Sequence, residues 1–141
     1  LMEIKVINDM LNSILQGCIE DEFQRKVFET PDISLEEMNT LHGQIYQKYM
    51  GYPLEYEWVD IHHHFETPFY YISYATSAVS SLELWLVGTK NREDALNAYR
   101  NMTQNTLNVD YLDALKDSGF SNPFTSKVIK NISSEIKREF L

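Results

Sequence analysis

The sequence contains few of the residues that cross-link or interrupt a chain: its 141 residues include one cysteine, five glycines and four prolines. Because Cys18 has no partner within the chain, an internal disulfide framework is excluded. A lone cysteine is typical of the reducing cytoplasm, where we expect this protein to be located. The scattered glycines cannot build a phosphate-cradling loop. Apolar runs are also short, so we expect no membrane partner.

Basic residues are scarce as well. Asp and Glu number 21 against 12 Lys and Arg, which gives a formal net charge of −9. Nucleic-acid binding depends on Lys and Arg side chains that neutralise phosphates, so this balance argues against a nucleic-acid partner. Hydrophobic residues make up 43% of the chain and aromatic residues 13%. That content excludes a disordered polypeptide and is enough for a globular core.

A complete metal-binding motif is also missing, since no His-Glu-x-x-His occurs in the sequence. Three adjacent histidines, His62, His63 and His64, invite a metal interpretation. Neighbouring side chains, however, diverge by about 100° on a helix and alternate in an extended segment, so they do not converge on one ion. Zinc sites draw instead on histidines three or four residues apart. We therefore expect no complete metal site, and a surface run in which one histidine is functional.

Hydrophobic periodicity predicts helices and no strands. Apolar residues recur three and four apart, and the first helix, over 3–29, is expected to bury one continuous stripe of Ile4, Ile7, Leu11, Ile14, Leu15, Cys18, Ile19, Phe23, Val27 and Phe28. The pattern predicts an all-α fold, a compact bundle of about five to six helices in a single domain over 1–141. The expected helices cover 3–29, 34–49, 67–87, a segment from Asn91, 109–116, and a segment from Asn122.

Local signals predict where these helices begin and end. Ser34 and Glu37 have the capping-box spacing, and Gly51 is expected to end the same helix. Thr67 and Pro68 are expected to start the third helix, over 67–87, which Gly88 should terminate. Small residues in the middle of that helix favour close approach of a neighbouring helix.

A histidine and tyrosine cluster adjoins this helix start. Tyr70 and Tyr74 are four residues apart and Tyr71 and Tyr74 three apart, so all three can border the surface next to His64. Imidazole and phenol groups can donate hydrogen bonds to a developing oxyanion. The alternative is that the tyrosines are structural aromatic residues of a central helix, whose buried hydroxyls need partners.

Several motifs resemble the C-terminal part of oligoendopeptidase F, which is grouped with the thimet-oligopeptidase-like zinc metallopeptidases. The most specific stretch is His64-Phe65-Glu66-Thr67-Pro68-Phe69-Tyr70-Tyr71-Ile72-Ser73-Tyr74-Ala75-Thr76, preceded by Trp58 and Ile61. Further similar segments are Gln24–Glu29, Leu41–Gly51, Ala95–Tyr99 and Asp113–Phe124, so the resemblance covers nearly the whole chain. The family usually has a tyrosine where this chain has Ile72.

The resemblance implies a fragment of a zinc-dependent oligoendopeptidase that hydrolyses short peptides. It implies catalytic roles for His64, facing the substrate, and Tyr74, stabilising the oxyanion, with Tyr70, Tyr71 and His63 binding substrate. Whether His63 or His64 fills the histidine role, and which of Tyr70 and Tyr71 faces the cleft, both stay open. The family's zinc ligands and catalytic base have no counterpart here. We therefore expect zinc in the intact enzyme but no activity from this chain alone.

The first residues, from Leu1 to Ile4, run directly into a helical pattern without a cap, as expected for a cut inside a longer polypeptide. The expected partners are peptide substrates, the missing N-terminal part of the enzyme, and a second copy bound through an exposed face. The alternative function is a non-enzymatic helical module, from a split or decayed peptidase gene, that binds a peptide or a partner protein.

Overall fold

In the computed structural model, residues 2–105 and 109–140 are described, with Asn105 described by its backbone only. These ranges contain no strand, which confirms the all-α prediction. The helices are α1 (Met2–Glu29), α2 (Leu35–Met50), α3 (His63–Glu66), α4 (Ile72–Lys90), α5 (Arg92–Asn105), α6 (Tyr111–Asp117) and α7 (Ser126–Phe140), with a 3₁₀ turn over Glu57–Asp60. None of the helices in the described ranges is long and apolar enough to cross a membrane.

The chain divides into two compact units, Leu1–Ala75 and Thr76–Leu141, and the division falls within α4. A single domain over 1–141 stays a prediction, and its two end residues, Leu1 and Leu141, lie outside the described ranges. The candidate site belongs entirely to the first unit.

The ends of α2 form as the sequence predicts. The hydroxyl of Ser34 accepts a hydrogen bond from the backbone N–H of Glu37, and the Glu37 carboxylate accepts one from the Ser34 N–H, which completes the capping box. Gly51 ends the helix in the left-handed conformation, with φ 86°, and its N–H donates to the Gln47 carbonyl. A residue without a side chain adopts this conformation at no steric cost.

The core of the first unit lies where α1, α2 and the 3₁₀ turn meet. Phe23 and Trp58 pack with ring centroids 5.4 Å apart, and the Trp58 indole N–H donates to Asn39 at 3.0 Å. The connection between α2 and α3 therefore covers the helix pair with a buried aromatic ring. The buried members of this cluster are Ile19, Phe23, Ile45, Tyr46 and Trp58.

The predicted apolar stripe of α1 is wrong in part. Ile4, Leu11 and Phe28 are exposed, while Glu20 and Gln24 are buried. Periodicity assigns the inward face by hydrophobicity alone, but a buried polar side chain is tolerated when it finds hydrogen-bond partners. Both residues do so: Glu20 binds histidines, and the Gln24 side-chain oxygen accepts from the Phe69 N–H at 3.0 Å.

The predicted helix start at Thr67 and Pro68 is also wrong. The Thr67 N–H donates to the His63 carbonyl and closes the single turn of α3. Phe69 then takes a left-handed conformation with φ 64°, which a helix cannot include, so α4 begins at Ile72. Gly88 lies inside α4, which continues to Lys90.

The second unit contains the remainder of α4 and helices α5 to α7. Asn91 caps α5, since its side-chain oxygen accepts from the Glu93 N–H at 2.9 Å. Trp85 stacks on Phe140 with ring centroids 6.0 Å apart. Among the described residues of this unit, the buried apolar ones are Ala78, Val79, Leu82, Leu86, Ala114, Leu115, Val128 and Ile132.

The small residues early in α4 do allow close helix approach. A Cβ placed on Gly17 of α1 would lie 2.6 Å from the Cβ of Ala75, a separation that real Cβ pairs do not reach. The absence of a side chain at Gly17 therefore allows α1 and the start of α4 to approach this closely at Ala75.

Gly17→Ala should destabilise the protein by about 1 to 3 kcal/mol because the added methyl group overpacks the contact with Ala75. Gly88→Ala is the matched control, since its Cβ would meet Ala95 at 3.6 Å, an ordinary contact. Removing a glycine from a helix interior favours folding by about 0.5 to 1 kcal/mol, so the control should be neutral or stabilising. Urea unfolding of both variants measures the difference; equal effects would contradict the packing argument.

Candidate functional site

A pocket of about 420 Å³ lies in the first unit, between α1 and the segment that leads into α4. Its lining residues are Asn12, Ser13, Gln16, Asp60, Ile61, His62, His63, Tyr71 and Tyr74. Three predicted site residues, His63, Tyr71 and Tyr74, therefore share one concave surface with the polar side chains of α1. Concave surfaces with a few convergent polar groups are where small ligands bind.

His63 is the centre of the predicted histidine and tyrosine cluster. Its Nε2 lies 3.0 Å from the Tyr74 hydroxyl oxygen, and its Nδ1 lies 3.2 Å from the Thr67 hydroxyl oxygen. The His63 ring also packs against Tyr70 and Tyr71, with centroids 4.9 Å and 5.8 Å away. The residues grouped by sequence spacing thus come together around this imidazole, which is bonded at both nitrogens.

The three tyrosines differ in their surroundings. Tyr70 precedes α4 and is 49% exposed, whereas Tyr71 lines the pocket and is partly buried. Burial raises the pKa of Tyr71, and the nearby charge of Glu20 and the Tyr74 phenol raise it further. The Tyr71 hydroxyl therefore keeps its proton and can serve as a hydrogen-bond donor. Tyr74 is 44% exposed, and its ring centroid lies 5.1 Å from that of Tyr71.

His64 occupies a different environment from His63. Its Nε2 donates to Glu20 Oε2 at 2.9 Å, and its side chain is only 5% exposed. The His64 ring packs edge-on against Phe23, with ring centroids 5.6 Å apart. The His64 Nδ1 is buried without a hydrogen-bond partner among the described residues. The structure therefore directs His64 into the interior and does not bring it together with the tyrosines.

Glu20 binds a second histidine through its other oxygen. His42 Nε2 lies 3.3 Å from Glu20 Oε1, and both side chains are almost completely buried. His42 Nδ1 lies 2.6 Å from the Leu54 carbonyl oxygen, which can only accept a hydrogen bond, so Nδ1 carries a proton. Each oxygen of the Glu20 carboxylate therefore faces one imidazole, Oε1 that of His42 and Oε2 that of His64.

Burial raises the pKa of the Glu20 carboxyl, but the hydrogen bonds from His42 and His64 outweigh burial and hold that pKa below its ordinary value. Sequence reasoning missed this network. The available signal was the pair of Glu20 and Gln24, four residues apart on the apolar side of α1.

The described residues offer no zinc site. Within 2–105 and 109–140, no three side chains of His, Cys, Asp or Glu are placed to hold a metal ion. His62 lines the pocket, His63 binds Tyr74, and His64 binds Glu20. The three adjacent histidines therefore lie in three different environments and do not converge on one point.

The depressed pKa of Glu20 predicts a pH dependence of stability. Since the folded-state pKa lies below the ordinary value of 4.5, the stabilisation is fully present above that pH and is lost as pH falls through the folded pKa. Glu20→Gln, which cannot ionise, should cost about 1 to 2 kcal/mol at neutral pH. Chemical denaturation at several pH values should show the difference between wild type and variant shrinking below pH 4.5. A constant difference down to acid pH would contradict the assigned interaction.

The fold can be compared with known proteins. No protein-family profile matches the chain, and no curated protein matches it significantly. Solved structures do match. PZ peptidase A, in a structure with an inhibitor, has a TM-score of 0.87 at 22% identity, over 94% of this chain and 25% of its own. A protein assigned as an oligoendopeptidase F has a TM-score of 0.85 at 23% identity, again over 94% of this chain and 25% of its own.

A third similar structure is a protein assigned as an oligoendopeptidase F from Bacillus anthracis strain Ames. Its TM-score is 0.76 at 27% identity, over 94% of this chain and 22% of its own. This chain thus spans about a quarter of the length of the proteins it matches. Its fold is that of a quarter-length region of oligoendopeptidase F and PZ peptidase A structures, which confirms the resemblance that the sequence motifs predicted.

Proposed function

We propose that this chain is the C-terminal part of a zinc-dependent oligoendopeptidase, where it binds short peptides and stabilises the oxyanion formed at the scissile carbonyl. The observation that carries the proposal is the hydrogen bond between His63 Nε2 and the Tyr74 hydroxyl, 3.0 Å apart at a pocket, in a fold similar to peptidase structures. Zinc, peptide substrates and a cytoplasmic location are parts of this proposal that derive from the sequence.

The geometry supports His63 over His64 as the histidine of the site. A catalytic imidazole must reach the substrate within hydrogen-bond distance. The His64 imidazole is committed to Glu20 in the interior, while His63 lies on the pocket wall beside Tyr71 and Tyr74. We therefore assign the substrate-facing role to His63, and to His64 a role in holding the segment in place.

Tyr74 is the proposed oxyanion donor because a hydrogen bond from His63 can orient its hydroxyl group. When His63 donates from Nε2 to the Tyr74 oxygen, the phenolic hydrogen is free to point at a ligand oxygen in the pocket. The Thr67 hydroxyl can then donate to Nδ1 and hold the imidazole in that tautomer. A donor positioned before the charge develops needs little reorganisation at the moment of reaction.

The zinc ion of the proposed enzyme does not fit the described residues of this chain, so its ligands and the catalytic base would belong to the missing N-terminal part. When bound there, zinc would supply the activated water. The contribution of this chain is limited to binding the peptide and donating hydrogen bonds. We accordingly propose that the isolated chain has no peptidase activity.

A binding module without enzymatic activity is the second candidate. It is favoured by the pocket itself, whose polar groups from α1 and aromatic rings from the α4 segment can hold a peptide without a metal. The two candidates differ in what Tyr74 does. An oxyanion donor acts mainly in the transition state, whereas a binding residue acts in the ground state.

In the enzyme that contains this chain, Tyr74→Phe should lower kcat by about 10² to 10³ and change KM by less than about threefold, because one oxyanion donor is lost. His63→Ala should lower kcat in the same direction. Steady-state hydrolysis of a fluorogenic peptide measures both constants. Tyr56→Phe, which alters an exposed phenol outside the pocket lining, is the matched control and should leave both constants unchanged.

A rise in KM alone would contradict the oxyanion role and favour the binding module. Unchanged kinetics in Tyr74→Phe would contradict both the role of Tyr74 and the proposed function of the pocket.

We also propose that the isolated chain self-associates through α1. The first turns of α1 expose Met2, Ile4 and Val6, with 82%, 54% and 49% of their surface accessible. Exposed apolar groups of this kind are covered in stable assemblies. The missing part of the enzyme is the proposed natural occupant, and a second copy would substitute for it.

Sedimentation velocity on the isolated chain should detect a dimer that dissociates on dilution, and Ile4→Lys should weaken it because a charge enters the contact. The control is Leu96→Lys, which places the same charge on another exposed apolar position, in α5. A monomer at high concentration would contradict this proposal.

A further inference from the structure

We propose that Glu20 is a positioning residue: by binding His64 in the interior, its carboxylate directs the adjacent His63 to the pocket and to Tyr74. This inference rests on the proposed function in one respect, namely that the pocket is the peptide-binding site. The placement of the two histidines is a property of the fold that can be measured without any ligand.

The two histidines cannot face the same side. His63 and His64 are consecutive residues of the single turn α3, where neighbouring side chains point about 100° apart. Fixing the direction of one imidazole therefore fixes the direction of the other. The orientation of α3 depends on which of the two is held by the rest of the molecule.

His64 is held by one hydrogen bond. Its Nε2 donates to Glu20 Oε2 at 2.9 Å, while its Nδ1 has no hydrogen-bond partner among the described residues. Without Glu20, the imidazole would be buried with no partner at either nitrogen, which is unfavourable compared with exposure to water. Removing the carboxylate therefore favours rotation of α3 that brings His64 toward solvent and takes His63 away from Tyr74.

Glu20 is itself fixed in position. Its second oxygen binds His42 of α2, and His42 in turn binds the Leu54 carbonyl. One turn further along α1, the Gln24 side chain accepts from the Phe69 N–H and holds the chain after α3. Glu20 and Gln24, four positions apart on α1, thus bind the chain within α3, at His64, and just after it, at Phe69.

Glutamine can replace the carboxylate in this arrangement. Its side-chain oxygen can accept from His64 Nε2, and its amide can donate to His42 Nε2 when that nitrogen carries no proton. Glu20→Gln should therefore keep both contacts. Glu20→Met, of similar length but without hydrogen-bonding groups, should lose both.

The test is an NMR comparison of the folded 141-residue chain, using ring-to-ring contacts between His63 and Tyr74. Wild type and Glu20→Gln should show these contacts, and Glu20→Met should lose them while retaining helical circular dichroism. A merely structural role for Glu20 would lower stability in Glu20→Met without moving His63. A folded Glu20→Met variant that keeps the contact would therefore overturn the proposal.

His64→Ala is a second variant that decides the question if Glu20→Met does not fold. It leaves the pair of Glu20 and His42 in place and removes only the side chain that anchors α3. We expect the contact between His63 and Tyr74 to be lost although both residues are intact. Retention of the contact in His64→Ala would overturn the proposal as firmly.

Failure of this inference can be told apart from failure of the proposed function. If Glu20→Met loses the contact but Tyr74→Phe has normal kinetics, then Glu20 positions His63 and the pocket has another role. If the kinetics of Tyr74→Phe are as expected but Glu20→Met keeps the contact, then the proposed function stands and the positioning role does not.

Discussion

The buried carboxylate of Glu20 is the interaction on which the first unit depends. A charge that is 1% exposed is costly to bury, and it persists only because two imidazoles donate hydrogen bonds to it. Those imidazoles come from α2 and from the turn α3, so one side chain of α1 ties together three parts of the chain. Losing it would leave two buried histidines with unsatisfied nitrogens, not merely a small cavity.

The division of work between His63 and His64 follows from this constraint. One histidine satisfies the buried carboxylate, so the other is free to bind Tyr74 at the pocket. The left-handed Phe69 then delays the start of α4 to Ile72, which leaves Tyr70 and Tyr71 in the turn around His63. A hydrogen-bonded interior thereby supports a polar surface on which His63 is bonded to Tyr74, and the proposed binding site requires such support from the layer beneath it.

The similarity to peptidase structures gives this arrangement its context. About a quarter of each of those chains has the fold of this one. A fold can host many functions, so the proposed peptidase role depends on the pocket and its hydrogen bonds and not on the fold alone. In the proposed enzyme, this chain would supply the hydrogen-bond donors and another part of the protein would supply the metal ligands.

The sequence by itself determined the all-α class, the extents of α1 and α2, and the capping box at Ser34. These features depend on contacts between residues a few positions apart, which periodicity and cap chemistry report directly. It also placed the three tyrosines beside the adjacent histidines, next to His64, because short spacings limit how far apart their side chains can lie. The start of α4 was not predictable, since the N–H of the left-handed Phe69 donates to the side-chain oxygen of Gln24, 45 residues earlier.

Only the tertiary structure decided which histidine faces the pocket. His64 and His42 are both held by Glu20, which lies 44 and 22 residues earlier in sequence and is not part of the apolar stripe that periodicity predicts for α1. Hydrogen bonds between side chains that are distant in sequence leave no periodic or local signal. The chemistry of the site was therefore visible in the residue types, and its geometry was set by packing.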